Sequence, residues 1–127
     1  MMAPEWIDAL VRQFGQSVGL SNFTLNDRGA ASVTFETGVS LRFEYARETL
    51  TVFVTVPSRN DARAARRMLA YAHPAARRGF TVRAGYLAKA GRAIFAVRLQ
   101  EREVTLPALN AVFAELWRIA TEFGGMT

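Results

Sequence analysis

The chain has 127 residues, half of them hydrophobic, with nine Phe, three Tyr and two Trp. That fits a single domain, 1–127, with a sizeable core, and excludes disorder. It has no cysteine, which excludes disulfides, thiol nucleophiles and Cys-ligated zinc. The opening MMAPEWIDALVRQF carries Glu5 and Asp8 and is not a signal peptide. No stretch approaches the ~20 apolar residues of a membrane span, so a cytoplasmic protein without membrane contact is expected. The net charge of +5 is local. Ser58 to Gly79 holds six arginines, at 59, 63, 66, 67, 77 and 78, and one acid, Asp61; elsewhere ten basic residues balance ten acidic ones.

Trp6, Ile7, Leu10, Val11, Phe14 and Val18 share an arc of ~140° at helical periodicity, which predicts an amphipathic helix over about 4–18, ended by Gly19. Alternation then takes over. Ala31, Val33 and Phe35, then Val39, Leu41, Phe43 and Tyr45, then Leu50, Val52, Val54 and Val56 each alternate with polar neighbours. They predict three strands in an antiparallel meander, turning at Thr37-Gly38 and Arg47-Glu48. Phe53 breaks the pattern, because it lies on the polar side of its strand. Pro57 stops the third strand, and Ser58, Asn60 or Asp61 can cap a second helix over about 60–72, ended by His73-Pro74. Two more strands, about 79–88 and 92–100, turn at Ala90-Gly91. A third helix over about 106–123, capped by Thr105, carries Leu109, Val112, Phe113, Leu116, Trp117, Ile119 and Phe123 in an arc of ~160°.

The order α-β-β-β-α-β-β-α is α+β: a twisted, mostly antiparallel sheet with the two terminal helices on one face. The middle helix is different. Its apolar stripe is mainly alanine, which buries little area but allows close approach of another helix. Ala62, Ala65, Met68, Leu69 and Ala72 are therefore expected at a subunit interface, related by a twofold axis.

The chemistry of catalysis is hard to find. His73 is the sole histidine and has no carboxylate near it in sequence. GYLAKAG lacks the ending of a phosphate loop, and no nucleophile elbow is present. No enzyme, cofactor or metal is expected. The arginine-rich segment 59–78 leaves one alternative, a basic α+β domain that grips nucleic-acid phosphates. Its helix has no interleaved base-reading side chains beyond Asn60, and the sheet shows no pair of stacking aromatics.

The spacing from Trp6 to Phe123 resembles the class I chaperones of bacterial type III secretion, the Tir chaperone family. The resemblance rests on WIDALVRQFGQSVGLSNFTLNDRGAASVTF, VSLRFEYARETLTVFVTVP, RRMLAYAHPAARRGFTVRAGYLAKAGRAIFAVRLQ and VTLPALNAVFAELWRIATEF. It implies a non-enzymatic cytoplasmic homodimer. Such a protein binds the N-terminal segment of an effector, keeps it non-globular and delivers it for secretion. The family also places its second helix and fourth strand in the dimer contact, which adds Phe80 and Val82 to the alanine stripe. Relatives are usually acidic and this chain is basic, which fits an acidic effector segment. Apolar side chains outside the expected core are the candidates for holding it: Phe53, Ile94 and Leu87 on the sheet, Trp6 and Leu10 on the first helix. Arg59, Arg63, Arg66 and Arg67 fall in one stripe of ~100° and are expected to steer the client.

Overall fold

The computed structural model describes residues 3–72 and 80–125. Helix α1, Glu5–Ser17, buries Ile7, Val11 and Phe14, spaced one or two turns apart on one side. It ends where Gly19 takes a φ of 83°. The segment that follows folds back tightly. A side chain at Gly15 would stand 2.7 Å from the Phe23 Cβ. The Asp8 carboxylate accepts from the Thr24 hydroxyl at 2.7 Å and the Leu25 amide at 2.9 Å.

Strands β1 (Ala30–Thr34), β2 (Ser40–Ala46) and β3 (Thr49–Pro57) form the meander. Arg47 and Glu48 make the two-residue turn between β2 and β3, with φ values of 52° and 62°. Both angles are positive, as the right-handed twist of a tight hairpin demands. Helix α2, Ala62–Ala72, is capped by Asp61, whose carboxylate accepts from the Ala64 amide at 2.8 Å. The expected helix end at His73-Pro74, with Arg77 and Arg78, lies outside the described residues. Strands β4 (Arg83–Leu87) and β5 (Arg92–Gln100) follow, then a 3-10 turn over Glu101–Glu103 that the spacing had not suggested. Helix α3, Leu106–Gly125, is capped by Thr105, as expected.

The sheet order is β1-β2-β3-β5-β4, and every pair is antiparallel. Strand β5 pairs with β3, so β4 is pushed to the edge and runs the same way as β3. Helix α2 is the crossover between β3 and β4. All three helices lie on one side of the sheet. The Phe14 ring of α1 is 5.2 Å from Phe43 on β2 and 5.3 Å from Phe113 on α3. Phe123 of α3 is 5.4 Å from Phe95 on β5, and Tyr71 of α2 is 5.9 Å from the same ring. The expectation set only α1 and α3 on this face. Helix α2 joins them above the β5–β4 edge and turns its other side outward.

Candidate partner-binding surface

Strand register decides what the opposite face of the sheet displays, because residues directly opposite in a pair project to the same side. Arg42 on β2, Phe53 on β3, Ala96 on β5 and Arg83 on β4 form one row across four strands. The next row is Ser40, Thr55, Ile94 and Gly85, and beyond it Arg92 faces Leu87. On the other flank Glu44, Thr51 and Arg98 align. No helix of the described residues lies over these rows. Phe53, Ile94 and Ala96 stay partly exposed, and Leu87 is 41% exposed.

The arginines of this face differ in what holds them. Arg92 lies across Thr55, donating to its hydroxyl at 2.7 Å and its carbonyl at 2.9 Å, and to the Gly38 carbonyl. It thereby buries Thr55 and clamps the β1–β2 turn to β3. Arg42 is paired with Glu44 on its own strand. Arg83 and Arg98 are exposed and make no ion pair among the described residues.

The five expected client-binding residues fall in two places. Phe53, Ile94 and Leu87 share the open face. Trp6 and Leu10 belong to α1, on the far side of the sheet. Leu10 packs partly against the core, while Trp6 is 47% exposed. Trp6 borders a groove of about 380 Å³ together with Glu48, Gln100, Glu101 and Arg102. One wall is fixed from below: the Tyr45 hydroxyl donates to Glu101 at 3.1 Å. Burial, and then this bond, push the Tyr45 pKa up, so the donor stays protonated.

Helix α2 docks by the seam between its two stripes rather than by the alanine stripe. Ala64 is buried, and Met68 and Tyr71 pack against the core. Ala62, Ala65 and Leu69 point outward, Leu69 at 68% exposure, and Ala72 is half-buried. Phe80 packs partly on the core and Val82 is buried within it, so the chain's own core already takes up Val82. The single arginine stripe does not exist. Arg59 precedes the helix. Arg67 folds inward, its guanidinium 4.4 Å from the centre of the Phe123 ring and donating to the Phe123 carbonyl. Its Nε is buried without a hydrogen-bond partner among the described residues. Its long stem lets it cover apolar surface that periodicity reserves for short side chains. Arg63 and Arg66 remain exposed.

The broken alternation at Phe53 does correspond to a place on the open face. Arg83 and Arg98 join the same face only through strand pairing, which the local pattern does not show. The chain matches the family described as Type III secretory system chaperone SycN over residues 6–123, which takes in nearly every element above. No curated protein matches it. Among solved structures it resembles a chain of the ExsC–ExsE complex, with a TM-score of 0.75, 18% identity, and 98% and 95% of the two chains covered. A chain of the HopA1–SchA chaperone–effector complex gives a TM-score of 0.71, 18% identity, and 92% and 91% coverage. The Yersinia pestis type III secretion chaperone SycH in complex with a fragment of YscM2 gives 0.70, 16%, and 92% and 98%.

Proposed function

The chain belongs to the Type III secretory system chaperone SycN family, and from that premise we propose that it works as a cytoplasmic, non-enzymatic homodimer that holds the N-terminal region of an effector non-globular until secretion. The observation that carries this reading is the family match from Trp6 to Phe123, whose span includes a sheet face that no helix of the described residues covers. A soluble chain that leaves Phe53, Ile94 and Leu87 in one patch offers them to a partner. The HopA1–SchA structure is a chaperone–effector complex on a similar fold, which supports an effector as that partner. No helix among the described residues is long and apolar enough to cross a membrane.

The dimer contact proposed here is the outward stripe of Ala62, Ala65 and Leu69, flanked by Ala72, with Met68 and Phe80 supporting it from below. The small side chains let two helices approach closely, and Leu69 is the largest apolar group on α2 left in solvent. Arg63 and Arg66, with Arg59 ahead of the helix, border this contact and steer an acidic client.

Co-expression with the protein encoded by the neighbouring reading frame tests the function. A soluble complex of a dimer with that protein is expected, and Phe53→Asp should release the client while the dimer persists. A wild-type protein that neither dimerises nor retains any such client overturns the reading. Leu69→Asp should give a monomer by light scattering; an unchanged mass would place the dimer contact elsewhere.

A further inference from the structure

We infer that the open sheet face recognises an extended segment in which acidic residues flank an apolar one at alternate positions. This rests on the chaperone reading above and specifies the chemistry of its client. Among the described strand residues the face carries Arg42, Arg83, Arg92 and Arg98 against one acid, Glu44, while Glu103 borders the pocket that Arg83 and Arg98 also line. Its cationic character is distinct from that of the arginine-rich segment at 59–78. At its centre, Phe53 and Ala96 sit opposite each other with Arg42 on one side and Arg83 on the other.

Strand spacing sets the length scale. Neighbouring strands lie ~4.8 Å apart, so the backbone positions of Arg42 and Arg83, three spacings apart, are separated by ~14 Å. An extended chain rises ~3.3 Å per residue, so its residues i and i+4 are ~13 Å apart and project to the same side, with i+2 between them. A segment crossing the strands therefore sets one acid near Arg42, an apolar side chain on Phe53 and Ala96, and a second acid near Arg83. Arg98 stands beside that end and, like Arg83, has no ion pair among the described residues to give up. The Arg42–Glu44 pair is solvent-exposed, and such pairs are cheaply exchanged.

A peptide suits this face better than a nucleic acid does. Among the described residues Phe53 is the single aromatic on it, while base stacking uses several rings. Phe53 lies opposite Ala96 and diagonal to Ile94, with Gly85 and Leu87 farther along the face, and these suit aliphatic side chains.

The test measures binding of a fluorescein-labelled peptide repeating Glu-Ser-Leu-Ser by anisotropy, against versions with Gln or Lys in place of Glu. Wild-type protein should bind the Glu peptide roughly tenfold or more tightly than the Gln peptide at low salt, with the gap narrowing as salt rises. The double variant Arg83→Glu/Arg98→Glu changes two exposed side chains and should fold, as circular dichroism will check. It should prefer the Lys peptide. Arg83→Lys/Arg98→Lys should keep most of the preference for Glu, and Phe53→Ser should weaken all three peptides. Equal binding of the Glu and Gln peptides, no binding, or a preference for Glu that survives charge reversal overturns the inference. So does displacement of the Glu peptide by a single-stranded oligonucleotide that binds more tightly. Co-expression with the neighbouring gene product separates the two readings. A client retained without acidic preference removes only this inference. Acidic preference without any client removes the secretion role.

Discussion

The two faces of the sheet are built from the same strands and behave as different materials. On the covered face Leu41, Phe43, Leu50, Val52, Val54 and Phe95 are fully buried beneath α1, α2 and α3. On the open face the residues between them are Arg42, Glu44, Thr51, Phe53, Ile94 and Ala96, all at least partly in solvent. Neighbours one residue apart thus serve opposite ends, because successive side chains on a strand leave on opposite sides. Burial is concentrated on one side, which leaves the other free to carry apolar and charged groups in solvent.

The sharpest way to break this comparison is truncation on each side. Phe95→Ala should cost about 3–5 kcal/mol in urea unfolding, since it empties a space bounded by Phe123 and Tyr71. Phe53→Ala should cost less than about 1 kcal/mol. Equal losses would mean that the open face is also core. A smaller effect tests the helix layer at its thinnest point. Arg67→Ala removes the bond to the Phe123 carbonyl and the contact with its ring, and should cost about 1–2 kcal/mol. Hydrogen exchange should show α2 losing protection first while the meander keeps its own. Uniform loss would tie α2 to the core more firmly than its single buried residue, Ala64, implies. The last effect has the opposite sign. Arg47→Asn with Glu48→Gly places residues suited to positive φ in the β2–β3 turn and should raise stability by about 1 kcal/mol, read as a higher Tm. The open face is not touched, so binding of a client there should not change.

Much of the fold was legible in the chain because local rules dominate it. The Arg47-Glu48 turn, the Asp61 and Thr105 caps and the alternation through β2 and β3 each follow from a few adjacent residues. Of the open face, Phe53 was legible, where an apolar residue broke a local pattern. Arg83, Arg98 and Ala96 gave no such signal, since their place beside one another comes from strands distant in sequence. The arginine helix misled for a related reason. Periodicity sorts side chains by polarity, and Arg67 is polar at its tip and apolar along its stem.

The amino-acid order by itself therefore determined the elements, their α+β order and the side of each strand that is greasy, because backbone geometry and hydrophobic burial act over a few residues. The tertiary structure alone decided that β5 lies between β3 and β4, that all three helices crowd onto one face, and that α2 docks by the seam between its stripes. Those outcomes depend on how whole surfaces fit together. They are what bring Phe53, Ala96, Arg83 and Arg98 onto one uncovered surface.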